Sequence, residues 1–301
     1  MAQSYPVKPV RIVVPYAPGG GVDIVARAVG QELTKRLGQT ILVENRTGAG
    51  GNVGSDAVAK AAPDGYTLLM ASPANTINPS LYTKMPYDPM RDLVPIALIG
   101  SVPTVLIANR SLPVQNVKQL VALAKSQPGA VIYGSGGSGT TEHLAGEMFK
   151  SAAGVDMLHV PYKGGAQVMT DLLGGQIALT FVNQLGALPH INAGKVKALA
   201  VASVERSAAL PQVPTFAESG YPEFRISVWW GIMGPAGMPK ELVTQLNREI
   251  VAALASPEMK ERLQTLSARP IGGTPEQFTK FFADETARWA RVVKASGARV
   301  D

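Results

Sequence analysis

A chain of 301 residues is about twice a typical domain, which predicts one large or two modest domains. Apolar residues make up 46% and charged residues 17%; the net charge of +6 is spread along the chain, with no block of like charge and no basic patch interleaved with aromatics. That balance excludes a nucleic-acid surface and leaves a mild attraction for anions. No apolar run approaches the ~20 residues of a membrane span, and the absence of cysteine excludes disulfides and thiolate chemistry without fixing the compartment. The first residues lack the basic start and apolar middle of a signal peptide; Ala2-Gln3 and the polar, proline-containing lead-in look like an N-terminus left by cleavage at a small residue.

The chain is organised around residues 11–37. Ile12-Val13-Val14 has the length and branching of a buried strand. Pro15, Pro18 and Gly19, Gly20 and Gly21 break it, and Val25, Val29, Leu33 and Leu37 then recur every four residues, as on a helix face. Asp23 stands where a carboxylate can cap free N–H groups. Strand, glycine loop and helix aim unpaired N–H groups and the positive end of a helix dipole at an anion; a tight turn needing glycine only for its backbone angles is the plainer reading.

Further along, residues 41–43 read as a second strand, followed by a loop at 45–52 and a short helix to about Ala62. Pro63-Asp64-Gly65 is a turn, and 66–71 a third strand. Residues 72–92 read as a proline-punctuated loop leading to two separate apolar runs, 94–99 and 102–108. A helix follows from Asn116, then a strand at 130–133, the run Gly134-Ser135-Gly136-Gly137-Ser138-Gly139, and a helix through Phe149, which repeats the opening unit. Strand and helix patterns alternate to Ala202. After a strand at 226–233 containing Trp229 and Trp230 come three helices, near 240–255, 258–266 and 275–295. The alternation predicts an α/β fold. Two glycine-loop units about 120 residues apart predict two similar lobes, 1–101 with 223–301 and 102–222, with hinge crossovers near 101 and 222.

Catalytic motifs fail one by one. Gly134, Gly136 and Gly139 match the dinucleotide fingerprint, but the acid at the right distance, Asp156, precedes its strand instead of following it. No Gly-Lys-Ser/Thr occurs, and neither Ser135 nor Ser138 sits in a nucleophile elbow. His143, His159 and His190 lack metal-ligand spacing, and the first two read as hydrogen-bonded structural residues. Trp229 and Trp230 read as packing, with one ring able to line a cleft. No nucleophile, base and orienting group assemble, so neither enzyme, cofactor nor metal is expected. What remains is two glycine loops, the second carrying Ser135, Ser138, Thr140 and Thr141 as hydroxyl donors. One helix dipole gives an exposed anion only ~0.3–1 kcal/mol, whereas micromolar binding needs about 8 kcal/mol. Several N–H and hydroxyl bonds to charged oxygens, at ~1.5–3 kcal/mol each, reach it; two lobes closing on one small organic anion supply them.

Seven stretches in order then resemble one family: Pro15-Tyr16-Ala17-Pro18-Gly19-Gly20 with Asp23; 45–52; 62–67; 134–140 with His143; Val160-Pro161-Tyr162-Lys163-Gly164; 171–175; and Thr274-Pro275-Glu276 with Trp289. The chain resembles the extracytoplasmic solute receptors of tripartite tricarboxylate transporters, the Bug receptors. The resemblance implies a two-lobed periplasmic binding protein of type II, a Venus flytrap with a mixed sheet flanked by helices in each lobe. It implies a monomer that binds a di-, tri- or aromatic carboxylate between the lobes and delivers it to membrane permease subunits. It assigns the grip to Tyr16, Pro18, Gly19, Gly20 and Asp23 in one lobe, to Ser135, Gly136, Ser138, Gly139, Thr140 and His143 in the other, and the walls to Ser72, Asn75, Tyr162 and Asn183. Where many relatives carry an aspartate after the strand-ending phenylalanine, this chain has Val182 after Phe181, which predicts an amine-free acid; apolar wall packing explains Val182 equally well. A carboxylate-processing enzyme, a sensor-associated binding protein and an amino-acid receptor are the alternatives on the same fold.

Overall fold

Branched apolar runs bounded by glycine and proline become the strands of this α/β protein. The structure, a computed structural model, describes residues 5–300. Strands β1 (Val10–Val14), β2 (Ile41–Asn45) and β3 (Thr67–Ala71) run parallel with β1 between the others, Val10 opposite Ile41 and Ile12 opposite Leu68. Helix α1 (Gly21–Leu37) joins the first pair and α2 (Asn52–Ala59) the second. Parallel strands covered on both faces carry near-continuous apolar sequence, and β1 has four of its five residues buried.

Residues 72–92, expected as a loop, hold two helices, α3 (Ala74–Leu81) and the single turn α4 (Pro89–Asp92). Pro73 and Pro79 read as breakers, but the Ser72 N–H finds the Asn75 side chain at 3.0 Å and the Thr76 hydroxyl finds the Pro73 carbonyl at 2.8 Å, which secures the first turn of α3. Asp88 caps α4 through the Met90 N–H, with Pro89 at the first helical position.

The two apolar runs expected at 94–99 and 102–108 are one 17-residue strand, β4 (Leu93–Asn109). It meets different strands along its length. Leu98, Gly100 and Ser101 pair with β10 (Arg269–Gly272), a strand not expected from the sequence, and Thr104 to Asn109 pair with β7 (Leu179–Asn183) and β8 (Val196–Val201). Pro95 and Pro103 fall outside those three registers.

The chain forms two compact units: residues through Ser101 with Trp229–Ala290, and Val102–Val228 with Arg291–Val300. This differs from the expectation that everything from 223 onward rejoins the first lobe. Residue 226 is tied into the second unit, since the Ile226 N–H meets the Ala202 carbonyl and its carbonyl takes the Thr104 N–H, each at 3.0 Å. Arg291, Val292 and Ala295, near the end of α11 (Pro275–Ser296), line a groove of about 720 Å³ with residues 147–155 and 220–224.

In the first unit the sheet continues from β3 to β9 (Ser227–Pro235), antiparallel, and then to β4. Its core gathers Val13, Leu69, Trp229, Met233, Phe278 and Phe282, and Trp229 stands edge-on to Phe278 and Phe282. Helices α9 (Lys240–Leu254) and α10 (Pro257–Thr265) pack on α1. In the second unit β5 (Ile132–Ser135) lies parallel to β6 (Leu158–Pro161) and β7. Helices α5 (Val117–Ser126), α6 (Thr141–Ala153), α7 (Gly165–Gly174) and α8 (Gln184–Asn192) complete it. Phe149, Phe181, Phe216 and Phe224 form one ring cluster there.

Candidate functional site

In open parallel sheets, ligands bind outside the C-terminal ends of the strands, where loops lead into helix N-termini. The topology puts the sequence-predicted residues at such edges, one in each unit. In the first, the segments after β1 and β3 carry Tyr16, Pro18, Gly19 and Gly20, and Ser72 and Asn75. In the second, the segments after β5 and β6 carry residues 136–140 and Tyr162, and Asn183 ends β7.

The first glycine loop is held from beneath by a charged network. Asp23, 3% exposed, takes the Gly19 N–H at 2.9 Å, the Asn45 amide at 2.9 Å and the Arg27 guanidinium at 3.0 Å. Asn45 also donates to the Tyr16 carbonyl at 3.0 Å and accepts from Arg27. The guanidinium, with the Gly19 and Asn45 donors, outweighs burial and holds the Asp23 carboxyl down at about 2. Asp23 therefore does not cap the first turn of its own helix; it grips the loop before it. The Tyr16 hydroxyl lies 2.8 Å from Ser72 Oγ, its pKa pushed up to about 12 by burial. The Asn75 amide serves Ser55 and Tyr87 as well as Ser72, so its groups are committed internally. Gly19 has φ +86°, a left-handed conformation that favours glycine. Helix α1 starts at Gly20 without a side-chain cap. Among the described residues the N–H groups of Gly20, Gly21 and Val22 have no acceptor.

The second glycine loop is held by uncharged groups. Ser135, fully buried, lies 2.7 Å from His159 Nε2 and closes on Gly137 through its hydroxyl. Thr140 caps α6, accepting from the His143 N–H, and its hydroxyl donates to the Gly137 carbonyl at 2.8 Å. His143, assigned to the ligand by resemblance, is buried, and its Nδ1 accepts the Gly139 N–H at 3.0 Å. Among the described residues the N–H groups of Gly136, Ser138 and Thr141 and the Ser138 and Thr141 hydroxyls have no partner. Gly134 belongs to packing: a Cβ there would lie 2.5 Å from Ile177 Cδ1. Tyr162 gives its hydroxyl to Asp171 at 2.7 Å, and burial, with that carboxylate, raises its pKa to about 12. Asn183 caps α8 through the Gly186 N–H.

Arg27, Asn45 and His159, which hold the loops, were not among the predicted site residues. Arg27 lies four residues after Asp23, a spacing that signals an ion pair on a helix; Asn45 and His159 meet their partners only through the parallel pairing of β1 with β2 and β5 with β6. Two further groups border the edges. The Trp230 ring edge lies 3.5 Å from where a Cβ on Gly21 would stand. Gln184, directly after Asn183, is fully buried, and its amide atoms find no partner among the described residues. Among the described residues no helix is long and apolar enough to cross a membrane.

Residues 25–298 match the model of the tripartite tricarboxylate transporter family receptor. Protein BugT of Bordetella pertussis is 41% identical over 301 residues, 99% of this chain and 92% of that protein. An R. palustris protein solved with adipate superposes with a TM-score of 0.85 at 36% identity, covering 98% of this chain and all of that one. MatC from Rhodopseudomonas palustris, solved with bound malate, gives 0.79 at 33% identity, over 96% of this chain and all of that one.

Proposed function

We propose, from the premise that this chain belongs to the tripartite tricarboxylate transporter receptor family, that it is a periplasmic receptor for a small amine-free carboxylate. It hands that acid unchanged to the membrane subunits of its transporter. The observation that carries the reading is the same in both units: a helix start at the C-terminal edge of parallel strands, with outward N–H groups left free because the side chains beneath are already satisfied. Gly20, Gly21 and Val22 in one unit and Gly136, Ser138 and Thr141 in the other are donors for charged oxygens, each bond contributing ~1.5–3 kcal/mol.

The preference for an acid without an amine rests on Asp23. Its charge is answered by Arg27, and its oxygens are filled by Gly19 and Asn45, which leaves no carboxylate there for an ammonium group. Val182, paired with Val105, supplies none either. The adipate and malate of the two solved relatives, both amine-free dicarboxylates, support the same class. One residue favours the second reading, an amino-acid ligand: Glu142, in the first turn of α6, has no ion-pair partner among the described residues, and burial raises its pKa.

Thermal shift and calorimetry with adipate, malate and aspartate test the proposal. One dicarboxylate is expected to bind at a single site, to stabilise the protein by about 2.7 kcal/mol at 100 times its Kd, and to be recovered unchanged. Gly20→Val and Ser138→Ala, made separately, should each weaken that acid. Consumption of the acid, or tight binding of aspartate alone that Glu142→Gln abolishes, would overturn the reading.

A further inference from the structure

Beneath the second glycine loop lies a group of side chains that ligand binding leaves unused. His143 on α6 and His159 on β6 stack nearly flat, with ring centroids 4.0 Å apart and planes 14° apart. Tyr133 on β5 stacks on His159 at 4.9 Å. The rings hold the two ends of the loop. His143 Nδ1 accepts the Gly139 N–H at 3.0 Å. His159 Nε2 meets Ser135 Oγ at 2.7 Å, and that hydroxyl accepts the Gly137 N–H at 3.3 Å. An imidazole nitrogen that accepts carries no proton, so His143 is neutral, with its hydrogen on Nε2.

We propose that His143 is a positioning residue that fixes the second loop only while it is uncharged, with His159 stacked on it and holding Ser135, so that proton uptake by the stacked pair releases Gly139 and spoils the seat for an anion. The consequence for binding rests on the carboxylate-receptor reading; the effect on the loop does not. A protonated His143 donates from both nitrogens and turns an N–H against the Gly139 N–H. Two cations stacked at 4.0 Å also repel each other.

The ionisable groups facing the pair are few. Glu147 and Lys150 come from α6, bound to each other at 3.1 Å; Glu142 stands in its first turn; Tyr133 comes from β5 and gives its hydroxyl to Glu147 at 2.6 Å. Strand β7, also packed on α6, brings none. For His143, burial lowers the pKa against Glu147, which raises it; for His159, burial and then the neighbouring ring bring it down to about 4. A cation under the loop attracts an anion, and Glu147, already paired with Lys150, answers that charge only in part. The donor clash at Gly139 is a direct contact and has no such compensation, so geometry decides the sign.

The test is an NMR titration of the ligand-free chain from pH 7.5 to 3.5. His143 and His159 should titrate below the ordinary imidazole range, and the Gly137 and Gly139 amide resonances should move with them. In His143→Asn, whose side-chain oxygen replaces Nδ1 as acceptor for the Gly139 N–H, the Gly139 amide should stay flat with pH. A Gly139 resonance unmoved through the ring titration, or one that follows the same course in His143→Asn, would sink the proposal. Adipate affinity measured at pH 7 and pH 4 reads the consequence. Wild type is expected to lose at least tenfold more than His143→Asn, because the ligand's own protonation is common to both. Adipate that fails to bind at either pH counts against the receptor reading, while the amide titration still decides the role of the pair.

Discussion

The two glycine loops present the same kind of surface, free N–H groups at a helix start, yet they are built differently. The first hangs on an ion pair, Asp23 with Arg27, relayed through Asn45 to the Tyr16 carbonyl. The second hangs on neutral imidazoles, a serine and a threonine cap. The difference shows that loop shape and ligand charge are separate problems. A charge can hold a loop provided it is answered before the ligand arrives; where no counter-charge is at hand, uncharged donors and acceptors do the same.

The contrast can be broken from its charged side first. Asp23→Ala removes the acceptor of three donors at once. Arg27, about half exposed, regains water, so the expected cost is the roughly 1–3 kcal/mol of the stranded Gly19 and Asn45 groups and not that of a fully buried pair. Chemical denaturation should find that loss, and loss of acid binding should accompany it. An undiminished stability would mean the network is ornamental.

Acid should separate the loops. His159 is depressed from 6.5 to about 4, so its contribution is complete above pH 6.5 and is lost as pH falls through 4. Asp23 is depressed from 3.8 to about 2, so its contribution is complete above 3.8 and is lost only through pH 2. Between pH 6.5 and 4 only the second loop weakens. His159 is partly solvated, which discounts the effect to on the order of 1 kcal/mol. Thermal unfolding of wild type and His159→Gln over that range should show the difference; equal slopes would contradict it.

The smallest expected effect sharpens the comparison at the caps. Thr140→Ala should cost about 1 kcal/mol, because α6 begins on a side-chain cap. The head of α1 offers no equivalent, since Gly20 caps it with backbone alone. A loss in Thr140→Ala below a few tenths of a kcal/mol, measured by denaturation, would place the hold on α6 in His143 alone.

Much of this was legible where chemistry and local spacing coincide. The every-fourth-residue stripe gives α1, and the run Gly134 to Gly139 gives the turn between β5 and α6. Residues that read as breakers misled twice. Pro73 and Pro79 hid α3, because side-chain bonds around Asn75 and Thr76 secure a start that composition does not reveal. Gly100 and Ser101 split β4 in two, because nothing local says that pairing with β10 carries the strand across them. The His143–His159 pair escaped for a different reason: sixteen residues separate the rings, and only the parallel pairing of β5 with β6, and α6 packed against both, brings them face to face. Asp23 was recognised as a helix-start carboxylate, but its partner Asn45 arrives on another strand, so its true load was invisible.

Trp230 lies with its ring edge against Gly21 at the head of α1. The other two tryptophans sit elsewhere, Trp229 among Phe278, Phe281 and Phe282, and Trp289 with its indole N–H on Glu285. An indole's emission responds to the electric field across its ring, and a negative solute docking on those amides sets up such a field beside Trp230. The protein thus carries a native fluorophore at the first of its two loops, where the proposed anion binding can be followed by light without a label.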